Sequence, residues 1–487
     1  MTAVVERICR GVFWAASVGG AVLWAVLAVR ASGHPYSLDY GEPVVELGVR
    51  ALLEGGHLYR PIGSSPLTLL PYNPLYPYGA ALLSSLDPDR ILAAGRTLSV
   101  VAALVVCIVV YRLARRIGTA PECAAALALL FLSDPLIARW SMLMKSDLTA
   151  LALEWAGLAL LLGSLDGPAG PRRAGRVGGT ILLVGAFLAK QTYILSAPVY
   201  ALALWRKQGA PSALRWSLVY AGLLAGTVLA LEVSTRGAYG QNAYTANLLS
   251  YHPQLAFGHA WIYLRHHALP VVLALVALAG SCGSAATRGD RTLSGLVLYL
   301  ALSAGWGALA GKVGAAENYF LQLTPALYLL SAALLRLPVP RVLVMAAFAA
   351  WALLNAAGAG GALEKLSRDM SDQRRDLAPL VEALSRTRGE VLSEDLSILI
   401  RAGKSVLYSP FEYTQLARSG RWDEGPFVER IRRGEFELLL FQTNVFAVEE
   451  SQRYSRRFVA AVRERYRPMG VVAGQIVCVR KVAGEAS

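Results

Sequence analysis

Two carboxylates stand three residues apart in Leu38-Asp39-Tyr40-Gly41-Glu42-Pro43, just after an apolar run that ends near residue 31. Acids at the exit of a membrane helix meet both lipid and water, where a general base could take a proton from a hydroxyl. Lysine gives the second signal. The chain carries 40 Arg but only 7 Lys, and just four of the lysines precede residue 362. Three of those four, Lys145, Lys190 and Lys312, fall at ends of apolar runs. A compact ammonium on a flexible stem suits phosphate.

Other candidates surround these. Asp147, two residues after Lys145, can position that lysine, bind an acceptor or help hold a divalent metal; it equally fits a carboxylate favoured at a helix N-terminus. Arg96 falls about a turn inside an apolar run, so it must face protein or phosphate. Asn318 and Tyr319 can bind sugar or phosphate oxygens, or anchor a helix end at the membrane interface.

The elements that must position these groups are membrane spans. Of 487 residues, 55% are hydrophobic and 16% charged, against about 25% charged in soluble domains. Eleven apolar stretches approach the roughly 20 residues a bilayer demands, near 11–31, 91–111, 121–135, 147–165, 177–189, 191–205, 216–233, 268–285, 292–311, 319–335 and 342–361. Six short linkers carry fifteen cations, including Arg112, Arg115 and Arg116, then Arg172, Arg173 and Arg176, and also Arg288 and Arg291. The positive-inside rule makes these linkers cytoplasmic. Loops 32–90, 136–146, 234–267 and 312–318 then face outward, as does the tail from 362. Of the net charge of +14, +11 lies before residue 362. That is an orientation signal and argues against nucleic acid. Residues 1–31 are long for a signal peptide and read as a retained span. Five cysteines without a CxxC spacing, four of them in or beside apolar runs, argue against a disulfide scaffold or a zinc site.

Between Arg176 and Arg206 lie only 29 residues, with both flanks cytoplasmic. Two short helices there would turn around at Lys190, inside the membrane thickness. The lysine then faces either a cavity or, in a single bent helix, snorkels outward. In the first external loop, Glu46, Arg50 and Glu54 alternate with apolar residues, a pattern suited to a helix lying on the membrane surface. Loop 234–267 mixes Tyr239, Asn242, Tyr244, Asn247, Tyr251 and Trp261, which suits either sugar stacking or an interface belt. His266-His267 lacks a carboxylate at metal-ligand spacing. Beyond the Gly-rich run 356–361, apolar runs at 390–393, 405–409 and 436–441, a helical stretch over 449–466 and a hairpin around 469–481 predict a small α/β domain. Gly403-Lys404-Ser405 is not a phosphate-binding loop, since Ile398 stands where glycine is required.

In order along the chain, Asp39-Tyr-Gly-Glu42, Gly55-Gly-His-Leu-Tyr-Arg60 and Tyr72-Asn-Pro-Leu-Tyr-Pro77 resemble the first external loop of GT-C-type membrane glycosyltransferases. The similarity is nearest to bacterial relatives of the protein O-mannosyltransferases and lipid A aminoarabinose transferases, glycosyltransferase family 39. Gly95-Arg96-Thr97, Lys145-Ser146-Asp147, Ala189-Lys190-Gln191-Thr192 and Gly311-Lys312 with Glu317-Asn318-Tyr319 continue it. The resemblance covers the membrane part, about three quarters of the chain. It implies an α-helical polytopic GT-C-like domain over 1–361 and an extracytoplasmic α/β domain over 362–487. It further implies sugar transfer, with inversion, from a polyprenyl-phosphate donor to a hydroxyl of a glycolipid, polysaccharide or protein on the outer face of a bacterial plasma membrane. The family often has adjacent Asp-Glu; here Tyr40-Gly41 intervenes, leaving the base open between Asp39 and Glu42. Two further classes stay open: a transporter or flippase lined by intramembrane charges, and a non-catalytic membrane scaffold.

Overall fold

The computed structural model describes residues 2–166, 169–283, 291–337 and 339–481. Arg288 of one basic linker, and the side chains of Arg291 and Cys282, lie outside what it describes.

Helix α1 (Thr2–Ser32) crosses first. The first external loop carries α2 (Glu42–Leu53) and α3 (Leu75–Ser84) and leads into α4 (Ile91–Arg116). Next come α5 (Pro121–Leu132) and α6 (Pro135–Ser141), bent by 59°. The bend has a local cause: Asp134 caps α6, accepting from the N–H groups of Leu136 and Ile137, and Pro135 starts the new helix. Helices α7 (Asp147–Gly163), α8 (Ala169–Ala189), α9 (Ser196–Gln208) and α10 (Ala210–Ser234) follow, then short α11 (Ala238–Ala243). Helix α12 (Pro253–Gly283) kinks at His267, three residues before Pro270, which lacks the N–H that would continue the ladder. The set closes with α13 (Arg291–Trp306), the wholly buried α14 (Leu323–Ala333) and α15 (Arg341–Arg386).

Seven described helices are long and apolar enough to cross a membrane, eight if the bent pair is one span. Helices α7, α8 and α9 occupy the other three expected crossings and complete the bundle. The chain is thus a polytopic helical membrane protein. Its basic linkers meet at one end, where Arg116 pairs with Asp166 at 2.5 Å and Arg10 reaches Glu122 at 3.8 Å. The loops carrying Asp39, Lys145, Lys190 and Lys312 gather at the other.

Three expectations change. The Gly-rich run 356–361 does not end a helix: α15 continues through it for 46 residues, about 69 Å at 1.5 Å per residue, so 361/362 is a point inside one helix. Helix α15 packs along α1, with Ala359 of the run buried. Helix α2 does not lie on a lipid surface. Its Val44, Val45 and Val49 are buried with Leu377, Leu380 and Leu384 of α15 and with Leu396 and Leu399 beyond it. The pairing of Arg401 with fully buried Glu46 fixes that contact. The third change concerns the run 405–409, which forms no strand of the sheet. It makes one parallel bridge to the first loop, with Leu67 N–H donating to Leu407 at 2.9 Å and Ser409 N–H to Leu67 at 2.8 Å.

The C-terminal unit contains β1 (Val391–Ser393), α16 (Leu396–Arg401), α17 (Pro410–Arg418), α18 (Gly425–Arg432), β2 (Leu438–Phe441), α19 (Arg456–Arg465), β3 (Tyr466–Val472) and β4 (Gln475–Arg480). The sheet order is β1-β2-β4-β3, with β1 and β2 parallel and the other pairs antiparallel. Tyr413, Phe427, Ile431, Phe436, Leu439, Phe458 and Val462 form its core.

Candidate active site

Seven of the nine nominated side chains converge. Asp39, Lys145, Asp147, Lys190, Lys312, Asn318 and Tyr319 line one cavity of about 300 Å³. A larger one, about 480 Å³ and lined by Arg50, Arg60 and Lys404, lies between the first loop and the C-terminal unit but contains none of the nominated residues.

The remaining two, Glu42 and Arg96, sit behind the cavity wall, and both are fully buried. Arg96 donates to both carboxylate oxygens of Glu42, at 2.9 and 2.8 Å, and to the carbonyls of Ala31, His34 and Tyr36. It thereby satisfies carbonyls at and beyond the end of α1 that have no helical partner. Glu42 also accepts from Leu38 N–H at 2.6 Å and Met144 N–H at 2.7 Å. Each of its oxygens is already taken at least twice, which leaves no lone pair for an acceptor proton. The pair instead ties α1, α4, the Asp39 turn and the 142–146 turn to one another, and so positions Asp39 and Lys145.

Asp39 faces the cavity. Its Oδ1 accepts from Lys145 Nζ at 2.5 Å and Gly41 N–H at 2.8 Å. Among the described residues nothing donates to Oδ2, which stays open to a proton. Burial alone would raise this carboxyl, but the Lys145 charge and the hydrogen bonds from Lys145 and Gly41 hold it below the usual carboxylate range. The intervening Tyr40-Gly41 has a use here. A Cβ on Gly41 would stand 3.0 Å from Lys145 Cε and 3.3 Å from Asp39 Oδ1, so glycine lets the lysine lie against the carboxylate.

A second pair in the same cavity repeats the arrangement. Lys190, 8% exposed in the break between α8 and α9, meets Asp147 Oδ1 at 2.5 Å, and Asn318 Nδ2 donates to the same oxygen at 2.8 Å. Tyr319 lies under the Lys190 ammonium, 5.9 Å from Nζ to the ring centre. The hairpin thus turns its lysine into a cavity rather than snorkelling it outward. Lys312 follows the turn 307–311 and is held through its backbone, where His252 N–H donates to Gly311 at 2.8 Å and Val313 N–H to Ser250 at 2.9 Å. Its ammonium has no carboxylate partner among the described residues. Burial, then the nearby Lys190 charge, bring it down to about 8. Asp39 and Asp147 each spend an oxygen on a lysine, and no three His, Cys, Asp or Glu among the described residues converge on a metal position.

The mixed loop 234–267 divides. Asn242 Nδ2 donates to the Arg60 carbonyl at 2.7 Å and Tyr239 OH to Asn73 at 3.0 Å, so these brace the first loop. Trp261 and Phe257 are exposed, as an interface belt requires. His267 contacts Asp134 at 2.9 Å, deep between α6 and α12. Sequence reasoning missed Tyr72 and Trp140, and above all Phe411, Glu412, Gln452 and Arg453 of the C-terminal unit, which close the cavity. Nothing in the spacing of those four marks them.

No protein-family model matches the chain, and neither does any curated protein sequence. Solved structures do. ArnT from Cupriavidus metallidurans in the apo state is 14% identical, with a TM-score of 0.65 over 94% of this chain and 97% of that one. The same protein bound to undecaprenyl phosphate gives 0.66 at 14% identity, covering 95% and 98%. The oligosaccharyltransferase AglB from Archaeoglobus fulgidus, in complex with an inhibitory peptide and a dolichol-phosphate, gives 0.55 at 10% identity, over 94% of this chain and 74% of that one. The chain has the GT-C fold of these membrane glycosyltransferases.

Proposed function

We propose that the chain transfers a sugar from a polyprenyl-phosphate donor to an acceptor hydroxyl, with inversion at the anomeric carbon. One observation carries the reading: a carboxylate with an open oxygen and an ammonium without a carboxylate partner line the same cavity. Asp39 Oδ2 takes the proton of the acceptor hydroxyl as its oxygen bonds to the anomeric carbon. The bond from that carbon to the phosphate oxygen breaks on the opposite face, and the electron pair leaves with the lipid phosphate. Lys312 and Lys190 stabilise the charge that develops there. Asp147 and Asn318 hold Lys190 in place, and Lys145 keeps Asp39 ionised. The undecaprenyl phosphate on ArnT and the dolichol-phosphate on AglB support the donor class. The basic linkers support an orientation with the N-terminus in the cytoplasm, and with the cavity and C-terminal domain on the extracytoplasmic face of a bacterial plasma membrane. The acceptor class spans glycolipid, polysaccharide and protein hydroxyls.

The test uses purified protein in liposomes with a panel of radiolabelled undecaprenyl-phosphate hexoses and pentoses, plus an envelope lipid and glycan extract as acceptor. Wild type should move label to the acceptor and release undecaprenyl phosphate. Asp39→Asn should abolish transfer while still binding undecaprenyl phosphate. Full transfer by Asp39→Asn would sink the base assignment.

A further inference from the structure

The C-terminal unit brings into the cavity a carboxylate that the transfer scheme leaves unused. Phe411 and Glu412 open α17, Gln452 and Arg453 precede α19, and all four line the cavity. The corner is held from both sides of the site. Tyr40, next to Asp39, accepts from Phe411 N–H through its hydroxyl at 3.1 Å, and the Arg453 guanidinium lies 4.1 Å over the Tyr40 ring. Two residues after Lys312, Gly314 has φ +74°, and a Cβ there would stand 2.4 Å from the Phe411 ring. Only glycine fits both that backbone and that contact.

Glu412 is the unexplained member. Its Oε2 is buried and accepts no hydrogen bond. Arg453, the cation acting on it, already pairs with fully buried Glu394. Burial pushes the Glu412 carboxyl up to about 7. A buried polar atom without a partner is costly, and native structures complete such atoms with water or a ligand. Lys145 and Lys190 are already matched by Asp39 and Asp147, so a cationic ligand would meet the unbalanced charge of Lys312, which opposes it. Neutral hydroxyl donors meet no such penalty. The rings of Phe411 and Tyr72, which line the cavity, suit the apolar face of a sugar ring whose hydroxyls point at the carboxylate.

We infer that Glu412 is a specificity-determining residue that accepts hydrogen bonds from ring hydroxyls of a sugar held in the cavity, so that the C-terminal domain selects the substrate. The inference deepens the glycosyl-transfer reading and rests on it for the ligand class. The ring belongs either to the donor or to the acceptor, and both present the same chemistry.

Saturation-transfer NMR on the full-length protein in nanodiscs, with methyl α-mannoside, β-galactoside, β-glucoside and α-arabinoside as probes, tests this directly. Wild type should bind at least one glycoside. At pH 8.5, where the carboxyl is ionised, Glu412→Ala should weaken that binding about tenfold or more, the effect of losing a hydrogen bond to a charged acceptor, and Glu412→Gln should weaken it less. Excess undecaprenyl-phosphate mannose displaces the glycoside if Glu412 holds the donor ring and leaves it bound if Glu412 holds the acceptor ring; either result supports the assignment. Unchanged affinity in Glu412→Ala, no saturation transfer from any probe in wild type, or loss of undecaprenyl phosphate binding in both variants overturns it. Glycoside binding that depends on Glu412, without label transfer in the liposome assay, would refute the transferase reading and leave this site standing.

Discussion

Lys312 should set the alkaline limit of transfer. Its ammonium faces the cavity without a carboxylate partner among the described residues, and burial followed by the Lys190 charge bring it down to about 8, against about 10.4 for an ordinary lysine. A lowered lysine loses its charge as pH rises through the folded-state value. About nine in ten molecules then carry the charge at pH 7 and about one in ten at pH 9. If only the ammonium stabilises the departing phosphate, kcat/KM falls about tenfold over that interval, or about 1.4 kcal/mol of transition-state stabilisation. The assay is the initial rate of undecaprenyl phosphate release from a radiolabelled donor in proteoliposomes, from pH 5 to pH 10 at constant ionic strength. Lys312→Arg keeps a cation that does not titrate in this range, so the alkaline limb should move out of the window. Lys312→Met should be slow throughout, near the level wild type approaches at high pH. An alkaline limb that is the same in wild type and Lys312→Arg would refute the assignment.

Three further outcomes follow from the geometry. Lys145→Gln removes the charge that holds Asp39 below the usual carboxylate range and leaves the burial that raises it. Wild-type activity should therefore persist into mildly acid pH, and the acid limb should move upward in the variant when the pH–rate profiles are compared. Arg96→Gln or Glu42→Gln leaves one buried charge unpaired, at a cost of about 3–5 kcal/mol; unfolding in detergent should show the loss, with partial recovery in the double variant. Lys190→Ala should raise the donor KM more than Lys190→Arg does, and equal KM values would remove Lys190 from the phosphate site.

Much of the site was legible because the membrane makes charge expensive. A lysine at the end of an apolar run needs a reason, and Lys145, Lys190 and Lys312 converge on one cavity. Each of the eleven apolar runs likewise contains a helix, since run length and polarity decide a crossing, although α12 begins already at Pro253 and α15 runs on to Arg386. Two acids three apart, by contrast, look alike in sequence. Only the folded arrangement separates Asp39, with an open oxygen, from Glu42, whose oxygens are taken by Arg96, Leu38 and Met144. The amphipathic pattern of α2 shows a buried face but not what buries it, and the cover is α15 and the C-terminal unit rather than lipid. Glu412 and Arg453 are brought to the site by long-range packing and stand among ordinary polar residues, so no periodicity could single them out.

The most direct measurement is a density map of the full-length protein with undecaprenyl phosphate. The phosphate should lie between the Lys190 and Lys312 ammonium groups, with Asp39 across the cavity from it. A phosphate bound instead at Arg50, Arg60 and Lys404, in the cavity between the first loop and the C-terminal unit, would contradict the proposed donor site.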